Sequence, residues 1–411
     1  MALSRRARLP LASLAALPLL LGAQAASAGL AEDLQSELDS YLAERSAAEG
    51  NSGAALFVGL GSAGPEISVY SGTTEKGGDV PVTATTLYQI GSNTKGFTGA
   101  LILALEARGK LSISDTVGDW LPQYPAWKDV TIAELLHMIS GIPTYSETSR
   151  MNGYFVGAPD RHFTMDELVD FAYPDGQDDL PVPSGYFYSN TNYLLAGMIA
   201  EKASGLSYRD ALQSLLFQPA GLSDTYYEEK AYTGPVLARM ASGYFRNPAC
   251  TLYDPGCAES ELAPMIGRDV KAADVSWAGP AGGIVATPRE LAIWIRAVFA
   301  GKVLPEAQLA EFVQPVSMAT GQPIDDVTEE DPRGFTLGIV RITGRGLEPL
   351  YYYLGMTLGY RVAFLYSPGD DLIVTGATNS QPPEDEDQFL PLMISAYKRA
   401  LAEKAGTPAP R

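Results

Sequence analysis

The chain predicts a mixed α/β (α+β) fold: an antiparallel sheet made from both ends of the sequence, flanked by helices, with a mostly helical domain inserted between the two parts. Three observations carry that prediction. Short β-like runs occur at Ala54 to Leu60 and Ile67 to Ser71, and again at Phe335 to Ile342, Leu350 to Leu354, Gly359 to Tyr366 and Leu372 to Thr378. Between them, from Leu111 to about Pro264, helical segments alternate with long polar loops. With 411 residues and 46% apolar content, the chain can bury a large core in one or two domains.

The N-terminus reads Arg5, Arg6 and Arg8, then an apolar run from Leu9 to Gly22, then Ala26-Ser27-Ala28. That pattern predicts a signal peptide over residues 1–28 and an exported protein, periplasmic or secreted. Arg8 stands where a twin-arginine signal prefers an apolar residue, so the general secretory route is favoured. No later stretch reaches about 18 apolar residues, so no integral membrane segment is expected in the mature chain.

Ala31 to Ala47 has helical spacing through Leu34, Leu38, Tyr41 and Leu42, and Gly50 to Gly53 ends it. The first two β-like runs form a hairpin across Gly61 to Pro65. A helix opens at Gly91-Ser92 and stops near Gly109. The middle of the chain predicts helices over Ile132 to Ile139, Met165 to Ala172, Tyr193 to Ala203 and Tyr208 to Phe217. Gly279-Pro280-Ala281-Gly282-Gly283 implies tight turns, and Pro288 opens a helix through Phe299. A helix from Phe389 to Ala402 closes the fold, with a disordered tail over 405–411. The expected division is a sheet subdomain from about 29–110 and 270–404 and a helical subdomain over about 111–269.

The formal net charge is −19, and the leader carries three arginines and no acid, so the mature chain is more acidic still. Binding to nucleic acid is excluded on that ground. Cys250 and Cys257 are the two cysteines, separated by Asp254-Pro255-Gly256 turn material. In an oxidising compartment they can close a small disulfide loop. A metal site is not expected, because the two histidines, His137 and His162, stand isolated. The same scarcity argues against a Ser-His-Asp triad. No cofactor is implied.

Three stretches carry chemistry. In Ser92-Asn93-Thr94-Lys95 a hydroxyl and an amine leave one face of a helix start, so a partly desolvated lysine can take the serine's proton. In Tyr188-Ser189-Asn190-Thr191-Asn192-Tyr193 the phenol of Tyr188 can serve as base toward Ser92 and as proton donor to a leaving group. The amide of Asn190 can bond both Lys95 and a substrate carbonyl. In Tyr353-Leu354-Gly355-Met356 a strand edge beside Ser92 can offer a backbone N–H as part of an oxyanion hole, with Gly355 keeping the approach open.

These three motifs, in this order and at these separations, resemble the serine β-lactamase and penicillin-binding-protein superfamily. The nearest branch is the one that holds class C β-lactamases, D-Ala-D-Ala carboxypeptidases and related esterases. Supporting stretches are Leu135-Leu136 with Ser140-Gly141-Ile142, Ala281-Gly282-Gly283 with Thr287, and Gly334-Phe335 with Gly338. The resemblance covers roughly residues 50 to 380 and implies an acyl-enzyme on Ser92, with the N–H groups of Ser92 and Met356 holding the oxyanion.

Two departures matter. The family's third motif starts with His or Lys, where this chain has Tyr353, and its usual His before Thr-Ser-Gly is Met138. Arg341, on the preceding strand, is the candidate to supply charge toward a substrate carboxylate. The implied function is an exported hydrolase of a small amide or ester, D-Ala-D-Ala carboxypeptidase-like. The substrate would be a small molecule or peptide, cell-wall D-amino-acid peptides among them. A carboxylesterase, a class C-type β-lactamase and a non-catalytic acyl-binding sensor are the alternatives.

Overall fold

Strand β1 (Gly53–Leu60) serves two cores at once. Its Ala54, Leu56 and Val58 join one buried cluster, while Ala55 and Phe57 join the other. An all-apolar run of this kind belongs to a sheet covered on both faces. The computed structural model describes residues 16–174, 180–250 and 257–406. The expected charged leader region, the Asp254-Pro255-Gly256 turn and residues 407–411 of the expected tail lie outside them.

The sheet has eight strands. After β1 come β2 (Glu66–Gly72), β3 (Val316–Ser317), β4 (Arg333–Phe335), β5 (Val340–Gly344), β6 (Leu347–Thr357), β7 (Tyr360–Ser367) and β8 (Leu372–Thr378). Their spatial order is β2-β1-β8-β7-β6-β5-β4-β3, antiparallel throughout. The N-terminal hairpin therefore joins the C-terminal strands through β1 against β8, with Phe57 opposite Thr375. One expected element divides: the run Phe335 to Ile342 is two paired strands, with Phe335 opposite Val340 across a turn at Thr336 to Ile339. Thr336 closes that turn with its hydroxyl on the Ile339 carbonyl, a local bond that competes with a continuous strand.

Helices cover both faces. On one side lie α1 (Ala16–Glu49), which buries Leu30, Leu34, Leu38 and Tyr41, and the C-terminal α5 (Phe389–Ala405). The expected cleavage point after Ala28 falls within α1. On the other side are α2 (Thr94–Glu106) and α4 (Pro288–Phe299), where Phe97 stacks on Trp294 with ring centroids 4.0 Å apart. Short helices and loops fill the middle of the chain, around α3 (Asn190–Ser204). Three short helices there start with capping boxes, at Thr116/Asp119, Thr131/Glu134 and Thr164/Glu167. In each, a side chain satisfies an end N–H that these one-turn helices otherwise leave bare. Among the described residues no helix is long and apolar enough to cross a membrane.

Candidate active site

Ser92 sits in a turn pressed directly onto the sheet. Gly91–Asn93 form one 3-10 turn that runs into α2. Gly91 has φ +54°, and a Cβ on it would stand 2.6 Å from the backbone N and O of Met356 on β6. Gly355 meets the turn from the strand side, where a Cβ would lie 2.0 Å from the Ile90 carbonyl oxygen. Both positions need glycine so that the nucleophile turn and the strand edge can touch backbone to backbone. Asn93 fastens this contact: its amide donates to the carbonyls of Ile90 at 2.7 Å and of Val362 on β7 at 2.8 Å. Sequence reasoning passed over Asn93 as a spacer between Ser92 and Lys95, because its partner on β7 is far away in the chain.

Lys95 leaves the first turn of α2 and is fully buried. Its Nζ lies 3.0 Å from Ser92 Oγ and donates to the Ala281 carbonyl at 2.8 Å. The rings of Tyr188 and Tyr193 lie 4.9 and 5.5 Å away. Among the described residues no carboxylate pairs with it, and burial alone pushes its pKa well below the ordinary lysine range. An amine so placed favours its neutral form, which can accept a proton.

The Tyr188 hydroxyl donates to Ser92 Oγ at 2.7 Å and receives a hydrogen bond from the Tyr353 hydroxyl at 3.1 Å. Burial pushes the Tyr188 phenol up to about 12, outweighing the opposing effect of its bonds to Ser92 and Tyr353; the Glu147 carboxylate adds to the rise. Burial drives Tyr353 up as well. Phe335 packs edge-on against both rings, at 6.4 and 6.2 Å. The result is a chain of contacts from Tyr353 through Tyr188 and Ser92 to Lys95. It can remove a proton from Ser92 at one end and offer one at the other.

A cleft of about 380 Å³ opens over these groups. Ser146, Asn152, Asn190 and Asn247 give it polar walls, and Phe155, Leu262, Trp277 and Leu358 apolar ones. Met356, Leu354 and Tyr353 line the strand side. Glu147 is the charged residue among the described lining residues, which include no lysine or arginine; Lys95 lies buried behind Ser92. The sequence reading did not single out Glu147, since an acid in a loop ordinarily signals a solvated surface.

Two expected contacts differ. Asn190 lines the cleft, but its amide donates to Ser146 Oγ at 2.8 Å, and Lys95 bonds the Ala281 carbonyl instead. Arg341 does not reach the cleft. It pairs with Tyr351, two residues along β6 from Tyr353, about 7 Å up the strand. There Asp326 takes its guanidinium in a two-pronged bond at 2.9 and 3.0 Å, and the Tyr351 ring lies 4.6 Å beneath it. A fork already closed on a carboxylate is not available to a substrate. Cys250 and Cys257 form a disulfide, with Cα atoms 5.8 Å apart, and Cys250 lies on the cleft wall. Among the described residues no cluster suited to a metal ion occurs.

Known proteins resemble this chain in sequence and in fold. A family model described as Beta-lactamase matches residues 38–396. Among curated relatives, Penicillin-binding protein 4* of Bacillus subtilis is 35% identical over 178 residues, covering 43% of this chain and 37% of that protein. A Beta-lactamase of Escherichia coli is 31% identical over 188 residues, 44% of each chain. The matched region thus spans less than half the length of these curated relatives. Among solved structures, the D-amino acid amidase from Ochrobactrum anthropi SV3 in complex with D-phenylalanine superposes with a TM-score of 0.73 at 24% identity. That match covers 92% of this chain and 100% of the amidase. A D-stereospecific amidohydrolase from Streptomyces gives 0.70 at 24% identity over 91% and 99% of the two chains. At such identity these two speak for the fold. The family match, by contrast, runs from within α1 into α5 and takes in every strand of the sheet, and on its strength this chain belongs to the β-lactamase family, whose members are serine hydrolases.

Proposed function

We propose that this protein is an exported acyl-serine hydrolase that cleaves small amides or esters lacking a free carboxylate. The observation that carries the substrate reading is the lack of a lysine or arginine among the described lining residues of the cleft, with Arg341 held by Asp326. A substrate carboxylate would find no such cation there to pair with it. An amino-acid amide or ester offers a cleavable carbonyl without a carboxylate, and the apolar wall of Phe155, Leu262 and Trp277 accepts its side chain. The two D-specific hydrolases of the same fold make the D-enantiomer the first to try. This reading moves away from a carboxypeptidase, which needs a carboxylate site. The leader-like N-terminus and the Cys250–Cys257 disulfide support export.

In the proposed reaction Ser92 Oγ bonds to the substrate carbonyl carbon as its proton passes to neutral Lys95. The carbonyl π pair moves onto oxygen, where the N–H groups of Ser92 and Met356 hold it. As the tetrahedral intermediate collapses, the leaving group takes the Tyr188 proton, and the Lys95 ammonium restores it. Water then attacks the acyl carbon and gives its proton to Lys95; as the second tetrahedral intermediate collapses, the bond to Ser92 Oγ breaks, the Lys95 ammonium returns that proton to Oγ, and the carboxylic acid leaves. Tyr188 with a pKa near 12 is a donor throughout rather than a phenolate base.

Steady-state kinetics of an N-acetyl-D-Ala-D-Ala peptide and of its C-terminal amide test the substrate reading. KM for the free carboxylate is expected to lie about 10- to 100-fold above that for the amide, the worth of one missing charge-assisted hydrogen bond. Equal KM values, or a lower one for the carboxylate, would refute the reading.

A further inference from the structure

Met138 stands where the resemblance leads one to expect His, and the fold gives it an unusual backbone. It is one of three non-glycine residues with positive φ among those described, at 61°, and it is fully buried. L-residues seldom adopt this conformation, and those that do are held there by their surroundings.

What the conformation achieves is visible in its hydrogen bonds. The Met138 carbonyl accepts the Phe187 N–H at 2.8 Å, and its Sδ accepts the Ser189 N–H at 3.3 Å. The thioether also receives the Asn192 amide at 3.7 Å. One residue thus holds the peptide groups on both sides of Tyr188. Downstream the seam continues through other residues: Ser189 and Thr191 hydroxyls donate to the Pro143 carbonyl at 3.0 and 2.6 Å.

We propose that Met138 is a positioning residue for the proton donor: its carbonyl and thioether fix the backbone that sets the Tyr188 hydroxyl 2.7 Å from Ser92 Oγ. The proposal rests on the donor role of Tyr188 stated above. Sulfur is a weak acceptor, but the N–H it receives belongs to the fully buried Ser189, so removing the sulfur leaves a donor without water or a substitute. Leucine would keep the volume and lose the acceptor. Histidine tolerates the left-handed backbone and restores an acceptor nitrogen.

The test compares hydrolysis of p-nitrophenyl, phenyl and ethyl acetates by the wild type, Met138→Leu, Met138→His and Tyr188→Phe, with melting temperatures recorded beside them. A good leaving group departs without a proton, whereas ethoxide needs one. Met138→Leu should therefore lose about 10- to 100-fold in kcat on ethyl acetate and less than about twofold on p-nitrophenyl acetate, with KM unchanged. Met138→His should recover most of the loss. A uniform loss across the three esters would reduce Met138 to a packing residue, as would no loss or a loss that histidine does not rescue. If Tyr188→Phe shows the leaving-group dependence and Met138→Leu does not, the positioning role alone falls. If Tyr188→Phe lacks it, the donor role falls and takes this proposal with it.

Discussion

Lys95→Met is expected to lower kcat/KM by about 10⁴-fold and, at the same time, to make the protein more resistant to heat. In the proposed mechanism the activity loss follows from removing the acceptor of the Ser92 proton, placed 3.0 Å away. The stability gain follows from burial. Lys95 is held deep in the protein with no carboxylate partner among the described residues, so its folded pKa lies well below that of the unfolded chain. Between those two values the unfolded state binds more protons, and stability rises with pH; the penalty is complete below the folded pKa and gone above about 10.5. Methionine carries no such penalty. The variant's advantage, of about 0.5–2 kcal/mol, should be greatest at acid pH and shrink toward pH 10.5, offset by a constant cost for the lost bond to the Ala281 carbonyl. Thermal melts of both proteins across pH check this, and a pH-independent difference would contradict it. The same reasoning sets the wild-type activity profile. Turnover should fall as the pH drops through the depressed Lys95 pKa and hold on the alkaline side until Tyr188 ionises near 12 or the protein unfolds.

Arg361→Met is expected to destabilise the fold by about 3–5 kcal/mol, the cost of stranding buried charge. Arg361 is fully buried on β7. It donates to Glu49 at 2.6 Å, to Asp387, and to the Ser380 carbonyl at 2.9 Å. Glu49 ends α1 and is itself fully buried, while Asp387 also accepts the Phe389 N–H at the start of α5. One guanidinium therefore ties both sheet-covering helices to the strand. It also lies opposite Met356 in the strand register, so loosening it disturbs the edge whose N–H is proposed to hold the oxyanion. Urea unfolding measures the loss. A cost below about 1 kcal/mol would mean that the cluster rearranges without Arg361.

The parts of the molecule that could be read from the sequence are those set by local pattern. The extent of α4 follows from Pro288 and the apolar period after it, and β8 from a run built on the β-branched Ile373, Val374 and Thr375. Ser92, Lys95 and Tyr188 were legible because their chemistry is compressed into short motifs. What escaped depends on partners far along the chain. Arg361 looks like a polar interruption of a strand until Glu49, 312 residues away, folds against it. Met138 is an unremarkable apolar residue in the sequence, and only its positive φ and the donors of residues 187 and 189 give it a role. Arg341 misleads for the converse reason: it sits on the strand next to the third motif, but Asp326 and its displacement along β6 remove it from the cleft.

The most direct measurement of the central claim is the intact mass of the protein quenched in acid moments after mixing with p-nitrophenyl acetate, beside a Ser92→Ala control. The expected result is a single added acetyl group, mapped to the peptide that holds Ser92, decaying as substrate runs out and absent from the control. An adduct that persists in Ser92→Ala, or ester hydrolysis that proceeds at the wild-type rate without Ser92, would contradict the acyl-serine account.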